Sequence, residues 1–212
     1  MKIKVCGLRD PENIRKLIKI LPDYIGFIFY EKSKRYVGEN KDKSMLKDIP
    51  DKIKKVGVFV NEPIQIVKEK VIENDLDLVQ LHGNETPDYC KKLSDEGVSI
   101  IKAFGVDEYF DMTDTQSYMS FCRYFLFDTK SDSYGGSGKK FNHKVLEGYN
   151  YDKPVILSGG IGPGDAGEIR KISEEYSIDI HAVDINSRFE TEPGMKDITK
   201  VRDFIHRIRE ID

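Results

Sequence analysis

Two residues in this sequence have the type and setting for proton chemistry. Cys6 closes the apolar stretch KIKVC and runs directly into Gly7. A thiol there has four roles open to it: packing, metal ligation, half of a disulfide, or an acid–base group. Three cysteines, Cys6, Cys90 and Cys122, make an odd number with no paired spacing, which argues against a disulfide framework. No second Cys or His lies within a few residues of any of them, as a zinc site would need. Cys90, in TPDYCKKL, and Cys122, just ahead of YFLFD, read as packing residues. Asp128 ends the apolar run YFLFD. A carboxylate beside apolar walls is expected to have a raised pKa and to serve as a general acid; capping the next turn is the alternative. The following segment, 129–141, is rich in Gly, Ser and Lys without helical or strand period, and reads as a mobile loop that closes over a ligand.

Other residues are suited to binding. Arg35, in EKSKRYVG, is either an anion clamp, its planar fork matching a carboxylate, or a surface charge. His82 directly follows LDLVQL and is either a ligand contact or a packed turn residue. The glycines of LSGGIGPGDAG (157–167) lie between a strand and a helix, where backbone N–H groups can approach an anion. Gly159 and Gly160 would form one half of a phosphate cradle, and the INSR turn (185–188) the other. Gly162, Gly164 and Gly167 also spell a dinucleotide fingerprint, with Asp184 at the right distance beyond. That motif sits near the chain's end and carries a proline within its turn, and a phosphate cradle accounts for it more simply.

The elements that must position these residues are legible as short apolar runs: 2–6, 24–29, 55–60, 76–81, 99–104, 124–128, 154–158 and 181–185. Most are continuously apolar and rich in Val, Ile and Phe, which predicts strands buried on both faces, hence parallel. Between them lie amphipathic stretches. One opens at Pro11 after the N-cap Asp10; others span 63–73, 86–96, 165–176 and 197–210. Helices after the second, fifth and sixth strands are less clearly marked. Eight strand–helix units predict a single α/β domain over 1–212, a (β/α)8 TIM barrel of eight parallel strands with outer helices; an open doubly wound sheet is the competitor. A barrel enzyme should be chemically rich just after its strands. The sequence meets that expectation with Cys6-Gly7, Ser33 to Arg35, Asn61, His82-Gly83, Asp128-Thr129, Gly159-Gly160, Asp184 and Asn186-Ser187.

Composition excludes several function classes. With 34 Lys+Arg against 37 Asp+Glu the net charge is −3, so no nucleic-acid partner is expected. The lysine run from Lys41 to Lys55 reads as a solvated helix face. No apolar run approaches the roughly 20 residues of a spanning helix, so no membrane partner is expected either. The N-terminus reads as a strand rather than a secretory leader, and with the unpaired cysteines this predicts a cytoplasmic protein.

Taken together, KVCGLRD (4–10), DYIGFIFYEKSKRYV (23–37), KKVGVFVNE (54–62), LDLVQLHGNE (76–85), FDTKSDSYGGSGKKF (127–141), LSGGIGP (157–163) and VDINSRFETEPGMKD (183–197) resemble the phosphoribosylanthranilate isomerase family of tryptophan biosynthesis. The resemblance implies an Amadori rearrangement of a small phosphorylated aminoaldose to an aminoketose, without metal or organic cofactor, by a monomer or homodimer. It implies Cys6 as general base and Asp128 as general acid. It places the substrate carboxylate on Arg35 and the phosphate on Gly159, Gly160, Asn186 and Ser187. Gly7, His82 and Asp184 would line the site, with Gly7 leaving room for the sugar. The chemistry requires opposite starting states, a protonated Asp128 and a thiolate Cys6, so both pKa values are expected to run against their reference order.

The sequence departs from the family pattern at KKFNHK, where Asn142 and His143 replace an Asp-Trp pair, and at INSRF, where Arg188 and Phe189 replace a small and an aliphatic residue. Arg188 is either a phosphate contact or a solvent-exposed charge. Two rivals remain. One is an isomerase of a related histidine-pathway aminoaldose, which would carry aspartates at the ends of strands one and five. The other is a phosphate-binding barrel without catalysis.

Overall fold

The computed structural model describes residues 1–38, 46, 48–130 and 143–210. Eight parallel strands close on themselves: β1 (Lys2–Val5), β2 (Tyr24–Ile28), β3 (Lys54–Phe59), β4 (Leu78–Leu81), β5 (Ile100–Val106), β6 (Tyr124–Thr129), β7 (Val155–Leu157) and β8 (Ile180–Ile185). The expected (β/α)8 barrel is therefore the architecture. Its last seam joins β8 to β1, with Lys4 opposite Asp184 and Val5 opposite Ile185. Among the described residues it is flanked by α1 (Pro11–Leu17), α2 (Ile64–Asn74), α3 (Pro87–Asp95), α4 (Ala166–Tyr176) and α5 (Ile198–Arg209).

The helix starts follow their capping chemistry. Asp10 accepts from Asn13 N at 2.8 Å, Thr86 from Tyr89 N at 3.2 Å and Asp197 from Lys200 N at 3.1 Å, each meeting an N–H that the helix leaves unpaired. Among the described residues after β5 and β6 the helical segments are 3₁₀ helices, Met112–Tyr118 and His143–Gly148. This matches the weak periodicity there. The segment 131–142, most of the expected mobile loop, lies outside the described residues, as do Asn142 and the side chain of His143.

The strands are apolar on both faces because they serve two cores. Ile3, Val5, Ile25, Phe27, Val79 and Phe125 pack outward against the helices. Tyr24, Val56, Leu78, Ile101, Leu126, Ile156 and Ala182 fill the barrel interior. Successive strand residues alternate between these faces. The same alternation carries Cys6, Asp128 and Asp184 to the interior side at the C-terminal ends.

Three expectations are corrected. The lysine run does not extend as one solvated helix face to Lys55: Lys54 and Lys55 belong to β3, and Lys55 is buried with its ammonium 2.5 Å from Asp75 Oδ2. β5 continues past Phe104 to Val106, because Gly105 and Val106 find partners in Asp128 and Thr129 of β6. A short antiparallel hairpin, β9 (Glu190–Glu192) with β10 (Met195–Lys196), intervenes between β8 and α5. Two or three residues per strand are too few for a periodic signal. Cys90 and Cys122 are buried and free.

Candidate active site

One cleft of about 690 Å³, its mouth included, opens at the C-terminal ends of the strands, a size suited to a small ligand. Cys6, His82, Asp128, Gly159, Gly160, Asp184, Asn186 and Ser187 all line it. Ile28, Val58, Val60 and Ile161 supply apolar wall, and Tyr30, Ser33, Gln80 and Ser158 further polar atoms. Residues far apart in the sequence thus converge on one cavity.

Cys6 is 4% exposed and is held by its own N–H, which donates to Ile185 O at 3.0 Å. On the neighbouring strand a Cβ at Gly26 would come 2.8 Å from its Sγ, so that glycine makes space for the thiol. Below it on β1, Lys4 is completely buried and donates to Asp184 Oδ1 at 2.9 Å. The expected lowering of the Cys6 pKa is not what this setting produces. Burial pushes the thiol up, and the nearby ammoniums of Lys4 and Lys196 only partly oppose it. Burial likewise raises Asp184, against the pull of Lys4.

Asp128, at the tip of β6, accepts from Thr129 N at 2.8 Å through Oδ1. Its Oδ2 faces His82 Nε2 at 3.4 Å. His82 Nδ1 in turn lies 3.0 Å from Gln80 Nε2. The loop bearing His82 is braced by Glu85, whose carboxylate accepts from Gly83 N, Asn61 N and the buried Lys102 ammonium at 2.8–3.1 Å.

Arg35 is placed differently from a bare anion clamp. Its Nε and Nη2 donate to both carboxylate oxygens of Glu190 at 2.6–3.0 Å. Glu190 also accepts from the buried Lys196 at 2.6 Å, and Lys196 donates on to Asn186 Oδ1 at 2.7 Å. The hairpin that sequence periodicity missed therefore supplies a charge network beneath the cleft. Gly7 is wedged into this corner with φ +79°. An added Cβ would stand 2.6 Å from Arg35 Cδ and 2.8 Å from Asn186 Oδ1. Only glycine meets both the backbone and the space requirement.

The loops after β7 and β8 meet at the cleft. Gly159 and Gly160 both have positive φ, +91° and +61°, and a Cβ at Gly159 would collide with Thr129 Oγ1 at 2.5 Å. Ser187 opens a 3₁₀ turn, Ser187–Phe189, across from them. This juxtaposition is where barrels bind phosphate. The dinucleotide alternative fails on Asp184, which faces the barrel interior and is committed to Lys4. Among the described residues no cluster of His, Cys, Asp and Glu has the form of a metal site. No described helix is long and apolar enough to cross a membrane.

A family model for N-(5′-phosphoribosyl)anthranilate isomerase matches residues 3–207. The chain belongs to the phosphoribosylanthranilate isomerase family. A relative of that name from Parabacteroides distasonis is 46% identical over 209 residues, covering 98% of this chain and 93% of its own. The solved phosphoribosylanthranilate isomerase from Thermotoga maritima is 33% identical, with a TM-score of 0.85 over 99% of both chains. A further structure, 29% identical with a TM-score of 0.81 over 99% of both chains, is the isomerase in complex with reduced 1-(o-carboxyphenylamino)-1-deoxyribulose 5-phosphate.

The two departures from the phosphoribosylanthranilate isomerase pattern near β8 now have locations. Phe189 is fully buried, edge-on to Phe204 of α5 at 5.0 Å, and is a packing residue. Arg188 is exposed, its side chain lying against Gly162, where an added Cβ would stand 3.2 Å from Cδ. Four residues of the site network carried no assignment from sequence: Lys4, Gln80, Glu190 and Lys196. For Lys4 and Gln80 a signal existed, since each lies two residues before a candidate (Cys6, His82) and strand alternation puts the pair on one face. For Glu190 and Lys196 nothing local distinguished them.

Proposed function

We infer that this chain catalyses the isomerisation of N-(5′-phosphoribosyl)anthranilate to 1-(2-carboxyphenylamino)-1-deoxyribulose 5-phosphate, a step of L-tryptophan biosynthesis, and that the 212 residues act as one barrel domain. The observation carrying this reading is that Cys6 and Asp128, on non-adjacent strands, share one cleft with the glycine turn after β7 and the Asn186–Ser187 turn after β8.

In this reading the 5′-phosphate rests on Gly159, Gly160 and the Asn186–Ser187 turn. The anthranilate ring lies against the apolar wall, and its carboxylate meets the remaining edge of the Arg35 guanidinium, whose plane Glu190 holds. Asp128 donates a proton to the furanose ring oxygen; the C1′–O bond breaks and the nitrogen lone pair forms the Schiff base. Cys6 then takes the C2′ proton, and the released electron pair moves toward the nitrogen to give an enolamine. Proton return at C1′ and loss of the enol proton give the ketone. Two groups of opposite protonation on one substrate suffice for this sequence.

The histidine-pathway alternative lacks support: strand one ends in a thiol, and the carboxylate just beyond β5, Asp107, is engaged by Lys130 at 2.6 Å. The test is loss of substrate fluorescence when freshly made phosphoribosylanthranilate meets the purified protein. Steady loss, abolished by Cys6→Ala, is expected; a flat trace beside an active control enzyme would overturn the assignment.

A further inference from the structure

Lys4 is among the largest side chains in the fold with no exposed surface. It sits in a barrel interior otherwise filled by Tyr24, Val56, Leu78, Ile101, Leu126 and similar residues. A buried ion pair in such a place is weak evidence for stability, because apolar residues of similar volume commonly serve as well or better. A role beyond packing is therefore the economical account.

The geometry supplies one. Lys4 and Cys6 are two residues apart on the first strand, so their side chains share the interior face. Lys4 hydrogen-bonds Asp184 Oδ1 at 2.9 Å, and its ammonium acts electrostatically on the Cys6 thiol. We propose that Lys4, seconded by Lys196, is a positioning residue that sets the proton affinity of Cys6 by offsetting the negative charge its sulfur must carry as a base.

The charged groups facing Cys6 come from three elements. Its own strand contributes Lys4, β8 contributes Asp184, and the β9–β10 hairpin contributes Lys196. From β2 comes only Gly26. Two cations thus stand against one carboxylate, and that carboxylate is already held by Lys4. Desolvation opposes the thiolate, and the two ammoniums are the groups that counter it. Asp184 keeps Lys4 charged in the core: despite complete burial, the Lys4 pKa is raised. The arrangement lets a buried thiol act as a base by setting two ammoniums against its charge.

This inference rests on Cys6 being the base, but its test does not require turnover. The rate of Cys6 alkylation by iodoacetamide is followed by mass spectrometry of the Cys6 peptide from about pH 7 to about pH 11, a range reaching above ordinary thiol ionisation because burial raises this thiol. Lys4→Gln keeps a hydrogen-bond donor but removes the charge; it is expected to move the midpoint up by about one pH unit or more. Lys4→Arg keeps the charge and is expected to stay near the wild-type midpoint. Lys196→Met is expected to move it in the same direction by less, since Lys196 itself loses its proton near pH 8, and Lys4→Met carries the test if Lys4→Gln does not fold. Turnover at neutral pH should fall about tenfold for every pH unit by which the midpoint rises, in proportion to thiolate. Variants that melt like wild type and titrate Cys6 at the wild-type midpoint overturn the proposal. Absence of turnover in the wild type would instead overturn the isomerase reading and leave the titration intact.

Discussion

His82 Nε2 stands 3.4 Å from Asp128 Oδ2, bringing the tip of β4 to the tip of β6 across the intervening β5. The contact aims Asp128 into the cleft from one side, while Thr129 N–H fixes its other oxygen at 2.8 Å. A carboxyl held at both oxygens has little freedom, which a general acid needs if its proton is to meet one ring oxygen. Asp128→Asn preserves these contacts in shape but cannot deliver a proton. It should lower kcat by about 10²–10⁴ while leaving the melting temperature near wild type. Steady-state kinetics beside a thermal melt checks this, and near-normal turnover would remove Asp128 from the mechanism.

Gln80 should show activity and stability pulling apart. Its Nε2 reaches His82 Nδ1 at 3.0 Å, while its Oε1 is buried and has no hydrogen-bond partner among the described residues. An orphaned acceptor costs stability, so Gln80→Met should leave the melting temperature unchanged or raise it. Losing the contact that orients His82 should lower kcat by about tenfold. Differential scanning calorimetry and turnover on the same sample read both.

Arg35→Lys is predicted to act on binding. Lysine cannot reproduce the fork that engages both oxygens of Glu190. KM should rise by about 10- to 100-fold with kcat within a few-fold of wild type, the pattern of lost uniform binding. A fall in kcat at constant KM would place Arg35 in the chemical step instead.

Lys196 predicts a pH effect on stability. Burial lowers its pKa from 10.5 to about 8, against the pull of Glu190. Below about 8 both folded and unfolded chains hold the proton, and Lys196 contributes no slope. Between about 8 and 10.5 the unfolded chain binds a proton that the folded chain does not, so stability rises with pH across that window. Relative to Lys196→Met, the wild type should gain up to about 3 kcal/mol over that interval. Urea denaturation of both proteins at several pH values across it measures the difference; a flat or falling difference refutes it.

The departures between expectation and structure have distinct physical origins. β5 ran two residues longer than its apolar run because neighbouring β6 offered partners to Gly105 and Val106; pairing overrode local composition. The Cys6 thiol is pushed up where a lowering was expected because its burial outweighs its cations, and burial is a property of the closed barrel. Arg35 was recognisable as a charged fork, but its engagement by Glu190, 155 residues away, has no local signature.

What the sequence determined by itself was everything set by short-range pattern. The alternation of apolar runs with amphipathic stretches specified eight strand–helix units. Asp10 marked a helix start, and strand-end chemistry picked out Cys6, His82, Asp128, Gly159 and Asn186. What only the tertiary structure decided was which distant groups became neighbours. Closing the barrel sets β1 beside β8, so that Lys4 meets Asp184 across 180 residues and the hairpin after β8 carries Lys196 and Glu190 to Cys6 and Arg35. The period of a strand says which face a side chain occupies, but only the closed ring of strands says what faces it.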